Sequence, residues 1–358
     1  MVKENSSDRD WLQKLWYEKS PWRFVLFPLS VIFSALVALR RNLYSRGVLK
    51  SHRVPVPVVV VGNISVGGTG KTPISIWLAI ELQVRDHKPA IVSRGYGGVV
   101  GPKPVKVTAE SDPDQVGDEA VLMAIRSRCP VFVHPDRVAA ARAAVESGAD
   151  LVIADDGLQH YRLVRDFEIA VMDGVRGTGN GLMLPAGPLR EPVQRLKEVD
   201  RVLVQTEGQD VDVPYLRRLS DRNSSAFSLL PKHMRELNGK RTRSLGDFSG
   251  KPVHAVAAIG NPRRFFRMLE SHGMRVIPRA YRDHLKLTAQ HLDFGDELPI
   301  IMTEKDAVKC AGLTVRNCWY VPVTVKFPNA GRSNWLEDLH RFLEKRKAEL
   351  CPGNHSSS

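Results

Sequence analysis

The sequence predicts an α/β protein in which helices cover a parallel sheet, with a second, smaller α/β domain and an apolar N-terminal helix. Three observations predict this fold class. From residue 54 onward, short apolar runs alternate with helical stretches, which is typical of a parallel sheet covered by helices. A glycine-rich loop follows the first of these runs, and one markedly apolar segment precedes it. The length of 358 residues also favours two domains over one.

The apolar segment at residues 24–39 (FVLFPLSVIFSALVAL) would form a helix of about 24 Å, shorter than the roughly 30 Å hydrocarbon core of a bilayer. Four polar residues recur along one helical face: Arg23, Ser30, Ser34 and Arg41. Aromatic and basic flanking residues suit a headgroup region and an anionic surface: Trp11, Trp16, Trp22, Tyr44, Arg40, Arg46, Lys50 and Arg53. We expect an interfacial or barely spanning membrane anchor, and a buried core helix is the alternative. Because Arg40-Arg41 follow where a secretory cleavage site would stand, we expect the segment to be retained.

The remaining elements follow from apolar runs and helical periodicity. The predicted strands of the first α/β domain are 56–61, 90–93, 131–134, 151–154, 168–172 and 201–205, and helices at 73–84, 119–126 and 137–147 fall between some of them. The polar stretch from 210 to about 250 carries few periodic signals. The second domain has predicted strands at 253–259, 275–280, 300–303 and 318–325 and a helix at 263–271, and a helix at 335–350 closes the chain.

Composition excludes some classes of protein and leaves others open. The formal net charge is +13, which suits nucleic acid, an anionic lipid surface and phosphorylated substrates equally well. The four cysteines, Cys129, Cys310, Cys318 and Cys351, form no metal-binding pattern, which argues against a zinc site or a disulfide framework. Because there is no zinc pattern, helix-turn-helix spacing or aromatic-interleaved basic strand, we expect no nucleic-acid partner.

The glycine-rich loop predicts a phosphate-binding site. It follows a strand, precedes a helix, and consists of Ser65, Val66, Gly67, Gly68, Thr69, Gly70, Lys71 and Thr72. Glycines let the backbone N–H groups wrap a polyphosphate, Lys71 supplies a cation for the β- and γ-phosphates of ATP, and the Thr72 hydroxyl can ligate Mg²⁺. Ser65 stands where the strict motif has its first glycine, but the strand–loop–helix context is intact. These features predict a P-loop NTPase-type sheet.

An acidic pair ends a later strand of the same sheet. Asp155 and Asp156 follow the apolar run 151–154 and precede Gly157. Acidic residues at the tip of a parallel strand beside a phosphate loop are where Mg²⁺ is held, although Asp-Asp-Gly also forms ordinary turns. We therefore expect Asp155 and Asp156 near a metal. Gln159 and His160 either face the site or cap the loop.

Taken together, short motifs along most of the chain resemble those of the tetraacyldisaccharide 4′-kinase family, the lipid A 4′-kinases of Gram-negative bacteria. They begin with the phosphate loop (62–73) and include SRGYG (93–97), VGDEA (116–120), HPDR (134–137), DDGLQH (155–160), LPAGPLRE (184–191), GNP (260–262), DH (283–284) and TEKD (303–306). The resemblance implies transfer of the ATP γ-phosphoryl group to the 4′-hydroxyl of a tetraacylated glucosamine disaccharide 1-phosphate. It also implies a location at the cytoplasmic face of the inner membrane, as a peripheral protein or with a single N-terminal anchor.

The resemblance also implies residue roles. It implies that Asp118 is the catalytic base and that His284 assists it. Without the resemblance, acidic residues in a first helical turn would be ordinary. Glu119 joins Thr72, Asp155 and Asp156 as a candidate Mg²⁺ ligand. A further set of candidates would contact substrate or support the site: Ser93, Arg94, Arg137, Gln159, His160, Arg190 and Glu191. The arginines suit phosphate oxygens because guanidinium groups bind them bidentately.

The predicted domains are a membrane-associated helical segment (1–53), a P-loop kinase domain (54–248), a smaller α/β domain (249–330), and a C-terminal helix with a disordered tail (331–358). The alternative function is a membrane-associated P-loop ATPase switch of the partitioning or metal-delivery class. Such proteins carry a lysine immediately before the glycine pair, where this chain has Val66. That difference favours the kinase.

Overall fold

The computed structural model of the chain describes residues 11, 14–18, 20–99, 101–207, 224–283, 285–328 and 333–350. The chain forms two compact units, and neither is continuous in sequence. The first comprises Met1–Lys71, Ala154–Ser228 and Phe327–Ser358, and the second comprises Thr72–Ile153 and Leu229–Lys326. These units divide the chain differently from the predicted domains, whose boundaries stay a prediction.

The elements alternate along the chain in the predicted way. The strands are β1 (Val58–Gly62), β2 (Pro89–Ser93), β3 (Val105–Val107), β4 (Val131–Val133), β5 (Leu151–Asp155), β6 (Phe167–Asp173), β7 (Arg201–Thr206), β8 (Ser224–Pro231), β9 (Met234–Glu236), β10 (Thr242–Arg243), β11 (Pro252–Ala257), β12 (Arg275–Ala280), β13 (Ile300–Thr303), β14 (Cys318–Val321) and β15 (Val323–Lys326). The α-helices are α1 (Trp22–Ser45), α2 (Lys71–Gln83), α3 (Pro113–Val116), α4 (Asp118–Ser127), α5 (Arg137–Glu146), α6 (Pro262–Ser271), α7 (Glu304–Lys309) and α8 (Ser333–Leu350).

The first unit contains a parallel sheet with the strand order β8-β7-β6-β1. Val61 of β1 pairs with Ile169 of β6, and Met172 of β6 pairs with Val204 of β7. Every residue of β1 is buried, as expected for a strand in a sheet covered on both faces. Because the strands are parallel, the loops that follow β1, β6 and β7 leave from the same edge of the sheet.

The second unit contains strands of two sheets. β2 pairs in parallel with β4, and β3 pairs antiparallel with β4. The other sheet has the order β10-β9-β14-β13-β11-β12. Its strands β14, β13, β11 and β12 are parallel to one another, and β9 pairs antiparallel with both β14 and β10. The strand predicted at 318–325 is two strands, β14 and β15, and Pro322 lies between them; proline has no N–H to donate to a ladder.

Helix α1 of the first unit is longer than predicted. It has 24 residues, or about 36 Å, because it continues through Arg40 and Arg41, which are good helix formers. Its polar face meets its own unit: the Ser30 hydroxyl donates to the carbonyl of Met183 at 2.7 Å, and Arg41 forms an ion pair with Glu198. The other face exposes apolar side chains: Phe24, Val25, Phe27, Leu29, Val31, Ile32, Leu36 and Leu39.

Helix α1 is also long and apolar enough to cross a membrane by length and composition. Only 6% of its most apolar stretch is buried, which contradicts the alternative of a buried core helix.

Candidate functional site

The phosphate loop lies in the first unit, between the end of β1 and the start of α2 at Lys71. Its glycines are required by geometry. A Cβ at Gly62 would lie 2.7 Å from Cγ of Leu158, so any side chain there would collide with a fully buried residue. Gly67 and Gly70 have φ angles of +115° and +87°, which residues with a Cβ rarely adopt. The loop therefore follows a backbone path that only glycine permits.

The segment that precedes Glu191 holds the start of this loop in place. The N–H of Val66 donates to the carbonyl of Pro188 at 2.8 Å, and the N–H of Arg190 donates to the carbonyl of Ile64 at 2.7 Å. Ser65 forms an antiparallel bridge with Leu189. The predicted LPAGPLRE motif is therefore a structural support of the phosphate loop.

Gln159 supports the loop from a second direction. Its side-chain amide donates to the carbonyl of Asn63 at 3.1 Å. This bond joins Gln159 to the segment that begins the phosphate loop, and the choice between facing the site and capping its own loop stays a prediction.

Lys71 and the acidic pair come together in the first unit. The ammonium of Lys71 lies 3.5 Å from one carboxylate oxygen of Asp156, and the guanidinium of Arg190 lies 3.3 Å from the other. Asp155, at the end of β5, is buried, while Asp156 has a φ of +48°, uncommon for a residue with a side chain. The two cations therefore meet the Asp156 carboxylate beside the glycine-rich loop, and the buried Asp155 precedes it in the chain.

Two polar atoms of the loop are buried and unpaired within the described residues, namely the Thr69 hydroxyl and the side-chain oxygen of Asn63. An unpaired buried polar group normally costs free energy, so such atoms point to a missing partner. A bound polyphosphate would offer acceptors to the Thr69 hydroxyl.

A second cluster of charged residues lies in the second unit. The Thr72 hydroxyl donates to one carboxylate oxygen of Glu119 at 3.3 Å, and the ammonium of Lys305 lies 2.7 Å from the other oxygen. Asp118, the first residue of α4, is buried, and its Oδ1 accepts the N–H of Glu119 at 2.8 Å. The same lysine lies 3.4 Å from Asp283 and 3.9 Å from Asp118. Lys305 thus joins three carboxylates.

The carboxylates of this cluster favour the charged form of Lys305. Burial lowers the pKa of Lys305, but the carboxylates of Glu119, Asp118 and Asp283 together raise it above its ordinary value. Lys309, one turn further along α7, contacts Asp306 at 2.7 Å and lies 3.9 Å from Asp118. Two lysines therefore flank the buried carboxylate of Asp118.

The sequence places Lys305 within the TEKD motif but does not indicate its role. Its partner Glu119 lies 186 positions earlier in the chain, so no local pattern connects the two. The only signal was the presence of a lysine in a matching motif.

The other predicted residues have the following positions. In the second unit, Ser93 is buried at the end of β2, where its carbonyl accepts the N–H of His134; Arg94 is exposed, and Arg137 is buried at the start of α5. In the first unit, the N–H of His160 donates to the carbonyl of Gly157 at 2.9 Å. His284 lies outside the described residues.

Glu191 is buried in the first unit, where it accepts a hydrogen bond of 2.7 Å from the Tyr161 hydroxyl. Burial raises the pKa of Glu191 above its ordinary value, and burial together with the Glu191 charge raises the pKa of Tyr161 to about 12. This hydrogen bond of the Glu191 carboxylate therefore lies inside the first unit.

Comparison with known proteins gives consistent matches over most of the chain. A model of the Tetraacyldisaccharide-1-P 4′-kinase family matches residues 22–341. A tetraacyldisaccharide 4′-kinase of Alkalilimnicola ehrlichii is 48% identical over 333 residues, which cover 92% of this chain and 97% of that protein. The enzyme of the same name from Nitrosococcus oceani is 42% identical over 93% of this chain and 95% of its own length.

A solved structure matches as well. LpxK from Aquifex aeolicus, crystallised in complex with ATP, has a TM-score of 0.71 and 26% identity to this chain. The match covers 90% of this chain and 99% of that one. The predicted α/β fold class, with its P-loop NTPase-type sheet, is confirmed by this similarity.

Proposed function

Because the chain belongs to the Tetraacyldisaccharide-1-P 4′-kinase family, we propose that it phosphorylates the 4′-hydroxyl of a tetraacylated glucosamine disaccharide 1-phosphate with ATP. The 4′ oxygen forms a bond to the γ-phosphorus while the bond from that phosphorus to the β–γ bridging oxygen breaks. The hydroxyl proton passes to a base, and ADP leaves. The observation that carries the proposal is the glycine-rich loop with Lys71 3.5 Å from Asp156 at its edge.

The phosphate loop supplies positioning and charge. Its backbone follows a path that turns N–H groups toward a bound anion, and α2 begins at Lys71, so the positive end of that helix also points there. The Lys71 ammonium neutralises charge on the β- and γ-phosphates. The Thr69 hydroxyl, unpaired among the described residues, donates to a phosphate oxygen.

The donor atoms present suit Mg²⁺, which prefers oxygen ligands. In the first unit Asp155 and Asp156 offer carboxylates, and in the second unit Thr72 and Glu119 offer a hydroxyl and a carboxylate. When bound, Mg²⁺ neutralises charge on the transferring phosphoryl group. Asp156 and Glu119 already contact cations, the ammonium groups of Lys71 at 3.5 Å and Lys305 at 2.7 Å respectively.

Asp118 acts as the general base in this proposal. Its carboxylate is held at the start of α4, where the ammonium groups of Lys305 and Lys309 each lie 3.9 Å from one of its oxygens. A positioned base contributes roughly 10²–10⁴-fold to such reactions. As in the family, His284 would assist it.

Four residues are proposed to contact the acceptor lipid, on the resemblance alone: Ser93, Arg94, Arg137 and His160. Arg190 has a more specific support, because its guanidinium already lies at the acidic pair, 3.3 Å from Asp156. It would stabilise phosphate oxygens that approach the loop.

Helix α1 would hold the enzyme at the cytoplasmic face of the inner membrane, where the acceptor resides. Its exposed apolar face suits the acyl region, and the basic residues near its C-terminal end suit an anionic leaflet. The mode of attachment is peripheral or through this single anchor.

The decisive experiment incubates the purified full-length protein with Mg²⁺, γ-labelled ATP and a tetraacyl disaccharide 1-phosphate in detergent. We expect a labelled bisphosphorylated lipid from the wild type and about 10³-fold slower formation of it by Lys71→Ala. Label released as inorganic phosphate without any lipid product would overturn the kinase proposal and favour the ATPase switch.

A further inference from the structure

Arg176 lies in the turn that follows β6, the strand beside β1, and so leaves the sheet at the same edge as the phosphate loop. Asp173 fixes this turn: one of its carboxylate oxygens accepts the N–H groups of Val175 and Arg176 at 2.9 and 3.1 Å. The backbone that carries the arginine is therefore held at two points.

The guanidinium of Arg176 reaches the loop itself. A Cβ at Gly67 would lie 3.5 Å from one of its terminal nitrogens, which is ordinary contact distance. Lys71 and Arg190 form ion pairs with Asp156. Arg176 instead lies over the aromatic ring of Tyr17, with its guanidinium carbon 5.3 Å from the ring centroid. An aromatic face orients a guanidinium without occupying its in-plane donors.

We propose that Arg176 contacts the terminal phosphate of the bound nucleotide, with Tyr17 as the residue that positions it. In phosphate loops the backbone N–H groups serve the inner phosphates and the lysine serves the outer pair. A cation that approaches the loop at Gly67 from a neighbouring strand meets the outermost group. A guanidinium there gives bidentate hydrogen bonds and stabilises charge during transfer. The inference rests on the proposed function only in taking ATP as the nucleotide.

The segment that carries Tyr17 is itself firmly attached to the first unit. The carbonyl of Trp16 accepts the N–H of Asn180 at 2.9 Å, and the indole N–H of Trp16 donates to the carbonyl of Pro185 at 3.0 Å. Leu15 is fully buried. Tyr17 is therefore placed by contacts of its neighbours, and its ring can act as a fixed support for Arg176.

The test measures ATP and ADP binding by titration calorimetry with Mg²⁺, on full-length protein in detergent. We expect Arg176→Gln to weaken ATP binding about 10- to 30-fold and ADP binding by less than about threefold, because charge-assisted hydrogen bonds to the γ-phosphate are lost. Tyr17→Leu weakens ATP binding about threefold to tenfold, again more than it weakens ADP binding. Tyr17→Phe, which keeps the ring, retains the wild-type ATP affinity. Exposed Arg142 of α5 provides the matched control, and Arg142→Gln leaves both affinities unchanged.

The proposal is overturned if the ratio of ATP to ADP affinity is unchanged in folded Arg176→Gln, whether both affinities stay the same or both fall equally. Thermal melting of the same samples shows whether the variant is folded, and Arg176→Lys, which keeps the charge, replaces it if it is not. Binding is measured without acceptor lipid. If the variants show the expected losses of ATP affinity but the wild type yields no lipid product, the proposed function fails and the role of Arg176 stands.

Discussion

Replacing Lys71 by alanine separates the chemical role of this lysine from its structural one. In the folded protein its ammonium contacts Asp156, but Arg190 lies 3.3 Å from the other oxygen of the same carboxylate and remains after the substitution. Because the Asp156 side chain is 36% exposed, the lost ion pair is worth about 0–1 kcal/mol. We therefore expect the melting temperature to fall by less than about 4 °C.

The effect on phosphoryl transfer should be far larger. Two unit charges about 4 Å apart interact by about 4 kcal/mol at an effective dielectric constant of about 20. At about 1.36 kcal/mol for each factor of ten, losing that interaction in the transition state lowers turnover by about 10³-fold. The assay is formation of labelled bisphosphorylated lipid, with exposed Lys88→Ala as the matched control. A Lys71→Ala enzyme with turnover within about tenfold of wild type would refute the reasoning.

Four further variants test other parts of the molecule. Asp118→Asn should lower turnover by about 10²–10⁴-fold while ATP affinity, measured by calorimetry, stays within about twofold, and normal turnover would remove Asp118 as the base. Lys305→Met leaves three carboxylates without their shared cation, and we expect urea unfolding to show a loss of about 2 kcal/mol after allowance for the partial exposure of Glu119 and Asp283. Because the folded-state pKa of Glu191 is raised, wild-type stability falls as pH rises from about 4.5 through that pKa, so Glu191→Gln should melt higher than wild type at pH 7 and equally near pH 4. If the difference in melting temperature between Glu191→Gln and the wild type does not vary with pH, the raised pKa of Glu191 is not its cause. Paired Ile32→Asp and Leu36→Asp substitutions on the exposed face of α1 should reduce cosedimentation with anionic vesicles by at least about tenfold.

The phosphate loop was predictable from sequence because its determinants are local. Glycines at positions that require positive φ, a lysine at a helix start and a buried apolar strand before them lie within a few residues of one another. The joining of Lys71 to the acidic pair was predictable for a different reason. Parallel strands bring their carboxyl ends to one edge, so Asp156 at the tip of a later strand had to come near the loop.

Other parts of the site depend on contacts between distant segments. Lys305 meets Glu119 across 186 positions, and the sequence near either residue is compatible with an ordinary charged helix end. The support that Gln159 gives to Asn63 was equally undetermined, since the side chain could have pointed either way. The length of α1 was underestimated because hydropathy marks the apolar stretch and says nothing of the basic turn that extends it.

The segment between β6 and Glu191 gives the sequence motif LPAGPLRE a physical meaning. In this segment the carbonyl of Met183 accepts a hydrogen bond from the Ser30 hydroxyl of α1. Five residues later the carbonyl of Pro188 accepts one from the N–H of Val66 in the phosphate loop. A short stretch of chain thus contacts both the apolar helix and the loop within one unit. In the proposed membrane attachment, α1 sets where the phosphate site lies relative to the bilayer. Because the same few residues make both hydrogen bonds, we expect a shift of α1 to move the segment that supports the loop.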